Sequence, residues 1–288
     1  MEKSATPSVI FEMMRSFVVL ARTLNVTQTA EELMLTRQTI RRHISDLEGI
    51  KGKQLFEIQN RQYGLTEDGQ SELIGAEALL QRLDSWLNKE YELVAGLPRI
   101  HFATEDNEFW AQRYPAIEAW NLAPPLIKSG LQQWGESGCE LENRKLRKIR
   151  PYLVVYRQHG HDWICVEVGE KSSYSSWLGW KWAKSAVGIS FHRDPICSSA
   201  DDFMIEAYDS VARTGSIWYD HIHTKLARPQ NGSEQPVNYQ RLVMALSFPD
   251  GELAVASLVA RTNNIQIQGL ASDDMPLMSK EDLMEFDI

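Results

Sequence analysis

Between about residues 9 and 93 the spacing of apolar side chains passes from helical to strand-like and back again, and that order constrains the fold more than any other feature of the chain. Phe11, Met14, Phe17, Val18, Ala21 and Leu24 recur at helical spacing and predict an amphipathic helix over 9–24. Thr27 is a suitable N-cap for a short second helix containing Ala30 and Leu33, with Glu31 and Glu32 in its first turns, where the helix dipole favours acids. Thr36 can cap a third helix from Arg37 to about Glu48. Only Met34 to Thr36 separate the second helix from the third, and helices joined so tightly cross steeply, as in a helix-turn-helix. Two short strands are expected next, Gln54 to Gln59 and Tyr63 to Thr66, turning at Asn60-Arg61-Gln62 and Gly64 to form a wing. Thr66 then caps a long helix over about Glu67 to Leu93.

At 100° per residue the third helix has two distinct faces. Ile40, Ile44 and Leu47 fall on one and must pack on the first two helices. Gln38, Arg41, Arg42 and Ser45 fall on the other, flanked by Arg37 and Thr39. Arginine can bridge guanine O6 and N7, glutamine can bridge adenine N6 and N7, and serine can reach bases or phosphates. These six residues are the candidate duplex-DNA contacts, with Arg61 on the wing. Lys51, Lys53 and Arg61 lie beyond the helix, where phosphate contacts would fix its register. Any amphipathic helix also shows Arg and Gln to water, so the argument rests on the whole ordered series of elements.

The charge supports a local footprint. The chain's net charge is −9, which argues against a generally basic nucleic-acid coat protein. Residues 37–61 nevertheless hold six basic residues against three acidic ones. No apolar run approaches the ~18 residues that would cross a bilayer, so no membrane partner is expected. The first residues lack the basic start and apolar core of a signal peptide, and the expected location is the cytoplasm. Three widely spaced cysteines, Cys139, Cys165 and Cys197, form no disulfide framework and no Cys-x-x-Cys zinc motif.

In the long helix Leu73, Leu80, Leu87 and Val94 repeat every seven residues, with Ala76 and Leu83 between them. This is a coiled-coil-like seam, and Leu73, Leu80, Leu83 and Leu87 are the candidate contacts of a homodimer or higher homo-oligomer. The other reading is a helix packed on its own domain.

Residues 11–69 resemble the N-terminal domain of LysR-type transcriptional regulators. The resemblance is carried by Phe17, Thr27, Ala30, Glu31, Leu33, Thr36, Ile40, Arg42, Ile44, Leu47, Glu48 and Gly52. It continues through Leu55, Phe56, Leu65, Thr66, Glu67 and Gly69. Its specific part is Leu-Glu, then Gly-x-x-Leu-Phe-Glu, then Leu-Thr-Glu-x-Gly. The resemblance implies a recognition helix in the major groove, a wing on the minor groove or backbone, and dimers made by the linker helix. Arg37 stands where the family usually has Gln, and Ile58 where it usually has Arg. Those two departures favour an alternative role, an interaction module that regulates a partner protein with weak or no operator binding.

Downstream, the alternating strand–helix rhythm of the family's usual two-lobed effector domain is missing. Strands are expected over Tyr152 to Arg157 and Trp163 to Val168, a helix over Ala200 to Arg213, and strands over Ser216 to Leu226, Tyr239 to Phe248 and Leu253 to Ala260. This makes an antiparallel sheet with helices on one face. The segment resembles a PAS-like domain of bacterial sensory proteins in Arg150-Pro151-Tyr152-Leu153-Val154-Val155, in Tyr208 to Gly215, and in Tyr239 to Ser247 with Asp250-Gly251. The expected fold class is therefore α+β multidomain. It comprises a winged helix-turn-helix (1–66), a dimerisation linker helix (67–94), a connector (95–125), a PAS-like sensor domain (126–270) and an acidic tail (271–288), mobile or loosely docked.

Trp163, Trp177, Trp180, Trp182, Phe191 and Trp218 could line a pocket for a small-molecule effector, or fill a core. His159 and His161, and His221 and His223, form two His-x-His pairs without a third ligand at metal spacing, so no metal site is assigned. Asp201-Asp202 sit at a helix start, where acids are favoured anyway. No Gly-x-Ser-x-Gly, phosphate-binding glycine loop or His-Glu-x-x-His is present, so an enzyme is not expected and no cofactor can be named. Arg144, Lys145, Arg147, Lys148 and Arg150 form a basic cluster that reads either as a second DNA contact or as a solvated face.

Overall fold

The computed structural model describes residues 9–59, 62–87, 90–103, 108–160, 162–191, 201–228, 232–270 and 275–286. The chain forms two compact units, 1–88 and 89–288.

In the first unit α1 (Ile10–Thr23), α2 (Val26–Glu32) and α3 (Arg37–Lys51) precede a hairpin of β1 (Phe56–Gln59) and β2 (Gln62–Leu65), and α4 (Glu67–Leu87) follows. Met13, Phe17, Leu20, Val26, Ala30, Ile40, Ile44, Leu47, Leu55 and Phe56 make its core. The α2 cap differs from the sequence expectation. Asn25, not Thr27, is the N-cap, because its carboxamide oxygen accepts from both Thr27 N (2.9 Å) and Gln28 N (3.2 Å). Thr36 caps α3 as expected, accepting from Thr39 N at 3.1 Å. Gly52, in the left-handed region at φ 66°, ends α3.

The motifs that carry the family resemblance have local structural reasons. Glu48 Oε1 accepts from Leu55 N (2.8 Å) and Phe56 N (3.1 Å), tying the end of α3 to the start of the wing. Phe56 meets Phe17 and Tyr63 edge-on, at 5.7 and 5.9 Å between ring centroids. Thr66 Oγ1 donates to Gln54 O (2.6 Å) and accepts from Gly69 N (2.9 Å). A Cβ on Gly69 would overlap the Leu55 carbonyl, so only glycine lets α4 start against the backbone that leads into β1.

In the second unit β3 (Tyr91–Val94), β4 (Leu97–Ala103) and β5 (Glu108–Tyr114) come first. Then follow α5 (Glu118–Leu122), α6 (Pro125–Glu136), two 3-10 turns (Arg144–Lys148 and Arg150–Tyr152), β6 (Leu153–His159) and β7 (Asp162–Val168). The rest is α7 (Ser173–Leu178), α8 (Trp180–Ser185), α9 (Asp201–Thr214), β8 (Ile217–Ala227), β9 (Glu234–Ser247) and β10 (Leu253–Arg261). Among the described residues the strands form one antiparallel sheet in the order β3-β4-β5-β8-β9-β10-β6-β7.

This arrangement corrects three sequence expectations. The linker helix stops at Leu87, and Val94 lies on a strand. Its partner strand begins after a two-residue loop, Ala95–Gly96, with both φ positive (50° and 78°), as type I′ hairpins require. Residues 95–125, expected to be a connector, supply β4, β5 and α5 to the sheet. Helices cover both faces rather than one. On one side α9, α7 and α8 pack through Phe203, Ala207, Tyr208, Trp177 and Ala183. On the other, α6 packs through Leu126, Ile127 and Leu131 on Leu242, Met244 and Leu258.

The described part of the acidic tail is docked. Met275 and Met278 are buried, Asp282 pairs with Arg228, and Met284 N donates to Arg261 O at 3.0 Å. The Arg228 guanidinium in turn lies 3.6 Å over the Trp177 ring.

A buried polar row crosses the sheet beneath the segment after β10. His221 Nδ1 accepts from Gln266 N at 3.0 Å, its Nε2 lies 2.8 Å from Tyr219 Oη, and Tyr219 Oη donates to Gln240 Oε1 at 2.7 Å. Burial pushes the His221 imidazole down from 6.5 to about 4, against smaller opposing effects of the Gln266 backbone and Asp220. The unfolded chain therefore takes up this proton near pH 6.5 and the folded chain only near pH 4. The stability that neutral His221 contributes is complete above pH 6.5 and is lost as pH falls towards 4, by about 3 kcal/mol in all. Urea unfolding of the second unit between pH 7 and 4.5 should show this loss, and His221→Gln should remove that part of it. Equal pH dependence in the two proteins would refute the assignment.

Candidate nucleic-acid interface

The buried face of α3 fixes how its other face is shown to solvent. Ile40, His43, Ile44 and Leu47 are buried. His43 adds a polar tie that sequence reasoning missed, with Ser16 Oγ 2.8 Å from His43 Nδ1 in the core between α1 and α3. With that face pinned, Arg37, Gln38, Arg41, Arg42 and Ser45 are all exposed. Thr39 is half-buried, and its hydroxyl lies 2.8 Å from that of its cap, Thr36. Among the described residues no carboxylate pairs with Arg37, Arg41 or Arg42. Arg61 lies outside the described residues.

Lys51 and Lys53, expected beyond the helix as phosphate contacts, also have a local role. Lys51 pairs with Glu72 at 2.5 Å, and Lys53 with Asp68 at 2.9 Å, which ties the end of α3 to α4.

The leucine seam divides. Leu73 and Ala76 pack against the unit's own core. Leu80 lines a cleft of about 180 Å3 with Phe11, Val18, Val19 and Leu33. Leu73 faces inward, whereas Leu80 is half-buried and borders that cleft beside α1. Leu83 is half-buried, and Leu87 is 60% exposed. Leu79 and Trp86, which the heptad reading omitted, are 57% and 62% exposed. Leu79, Leu83 and Trp86 follow i, i+4, i+7 spacing, so a second apolar stripe was visible in the sequence beneath the more regular leucine repeat.

The other candidates resolve individually. Trp163, Trp177, Phe191 and Trp218 are buried among Tyr156, Phe203 and Tyr208, with Phe191 and Tyr208 ring centroids 4.9 Å apart, and so fill the core. Trp180 is 43% exposed. A cleft of about 290 Å3 lies elsewhere, lined by Gln112, Tyr114 and Ile265 to Gln268. His221 and His223 are both buried on one face of β8, but His223 Nδ1 is bonded to Asn238 (2.6 Å), away from the partners of His221. His161 and Cys197 lie outside the described residues.

The family described as "Bacterial regulatory helix-turn-helix protein, lysR family" matches residues 11–70. The glycine cleavage system transcriptional activator of Escherichia coli (strain K12) is 37% identical over 120 residues, 41% of this chain and 39% of that protein. The HTH-type transcriptional regulator CitR of Bacillus subtilis (strain 168) is 37% identical over 83 residues, 29% of this chain and 28% of that protein. The chain thus spans about two fifths or less of the length of these curated relatives. A Corynebacterium glutamicum OxyR C206 mutant structure aligns with 26% identity over 30% of this chain and 26% of that one, at a TM-score of 0.27. Residues 11–70, with Glu48, Gly52, Thr66 and Gly69 in the structural roles just described, are a LysR-family helix-turn-helix domain.

Proposed function

We propose that this chain is a dimeric, DNA-binding transcription regulator in which α3 enters the major groove and the second unit modulates the first. The observation that carries this reading is the exposed set Gln38, Arg41, Arg42 and Ser45, held opposite a face that Ile40, Ile44, Leu47 and the Ser16–His43 bond fix to the core. Arg37 and Thr39 at the start of α3, and Arg61 by its sequence position beside the wing, complete the proposed contact set. Dimerisation is assigned to the outward stripe of α4, through Leu83 and Leu87 together with Leu79 and Trp86.

The second unit is read as a PAS-like sensor. Support comes from its last five strands, which lie in the sheet order second, first, fifth, fourth, third, with α7, α8 and α9 inserted between the second and third. A small-molecule effector would act there.

Base readout gives a specific test. Gln38→Ala or Arg41→Ala should each cost about 1–3 kcal/mol at the preferred site and relax preference at the base it contacts. Titration of preferred and scrambled duplexes with the full chain measures both. Equal losses on the two duplexes would show that these side chains do not read bases.

A further inference from the structure

We infer that the turn Arg144–Lys148 is a second contact for duplex DNA, in which Arg144, Arg147 and Lys148 bind the phosphate backbone. This rests on the DNA-binding reading above.

The turn is built to hold its cations outward. Leu146 and Ile149 are inserted in the core beneath α6, which leaves Arg144, Lys145, Arg147 and Lys148 exposed. Both ends are braced. Asn143 Oδ1 accepts from Lys145 N at 3.1 Å. Arg150 donates to Leu141 O (2.5 Å), Glu142 (3.0 Å) and Glu167 (2.6 Å).

The local ion pairs do not consume the charge. Arg150 is paired, and Lys145 lies 3.4 Å from Glu136. Among the described residues no carboxylate pairs with Arg144, Arg147 or Lys148. Residues 144–150 hold five cations and no carboxylate, in a chain of net charge −9. Crowding like charges on a rigid turn costs energy, which a polyanion repays by counterion release. A duplex fits better than an acidic peptide for a further reason. A strongly acidic body is repelled by DNA except where local cations offset its field, and this turn puts uncompensated cations on the acidic second unit.

The test uses the full chain. Arg144→Gln, Arg147→Gln and Lys148→Gln are combined, and a control triple neutralises the exposed Lys181, Arg213 and Lys280 with the same change in net charge. The logarithm of affinity is plotted against the logarithm of salt concentration. Each lost phosphate contact removes about 0.9 from the slope, so the turn variant should be flatter than the wild type by about 2.7, with the same fractional loss on preferred and random duplexes. The control triple should keep the wild-type slope. An unchanged slope in the turn variant would overturn the inference and direct these cations to another partner. An equal loss in the control would also overturn it, as an effect of net charge alone. A wild-type chain with no salt-dependent binding would instead refute the DNA-binding reading itself.

Discussion

Asp220→Ala is expected to destabilise the second unit by about 3–5 kcal/mol, a large share of the stability of a typical domain. Asp220 and Arg241 face each other on β8 and β9 at 0% and 1% exposure. Asp220 accepts from Arg241 Nε (3.0 Å) and Nη2 (2.5 Å) and from Trp218 Nε1 (2.8 Å). Burial opposes the charge on Arg241, and Asp220 overcomes that by holding the guanidinium protonated. Removing the carboxylate leaves a buried cation without a counter-charge and an indole N–H without an acceptor. The pair itself need not be strongly stabilising, since its attraction is set against the desolvation of two ions. Asp220→Leu combined with Arg241→Met should therefore recover most of the loss. Urea unfolding measures both variants. A loss below 1 kcal/mol in Asp220→Ala would mean that the pair is not buried as described.

If the proposed dimer forms through the outward stripe of α4, Leu83→Glu with Trp86→Glu should convert it to a monomer without lowering the stability of the first unit. Both positions lie on the outward stripe of α4, and a carboxylate buried there on association costs several kcal/mol. DNA affinity should fall with it, because a monomer engages one half-site only. Leu73→Glu with Leu80→Glu should behave differently. Leu73 packs on the unit's own core and Leu80 borders the cleft beside α1, so the expected outcome is a lower melting temperature rather than a soluble, stable monomer. Sedimentation and thermal unfolding separate the two. If Leu83→Glu with Trp86→Glu stays dimeric, the interface lies elsewhere.

The first unit was legible because its signals are local. Thr36, Gly52 and Thr66 sit at element ends, where side-chain caps and positive φ act over a few residues. The same locality misassigned the α2 cap, since Asn25 and Thr27 can both cap and only the backbone path decides between them. The leucine repeat marked the helix but did not separate Leu73, which packs on the unit's own core, from Leu87, which is exposed. Which leucines face outward depends on where α1 lies, and that is a tertiary fact. Residues 95–125 were illegible as strands because Phe109, Trp110 and Ala111 are consecutive and all buried. A sheet covered on both faces loses the apolar–polar alternation that marks a strand. Pro98, which pairs opposite Leu93, added a loop signal inside β4. The proposed DNA-reading face was legible throughout, since helical periodicity alone places Gln38, Arg41, Arg42 and Ser45 opposite Ile40, Ile44 and Leu47.

The most direct test of DNA recognition is selection of duplexes from a random pool by the full chain, followed by affinity measurement across salt concentrations on the enriched sequence. The wild type should enrich one motif in two half-sites, with affinity falling steeply as salt rises, and the Gln38→Ala, Arg41→Ala double variant should lose the enrichment while keeping its fold. No enriched motif and no salt-dependent binding by a folded wild-type chain would contradict the account.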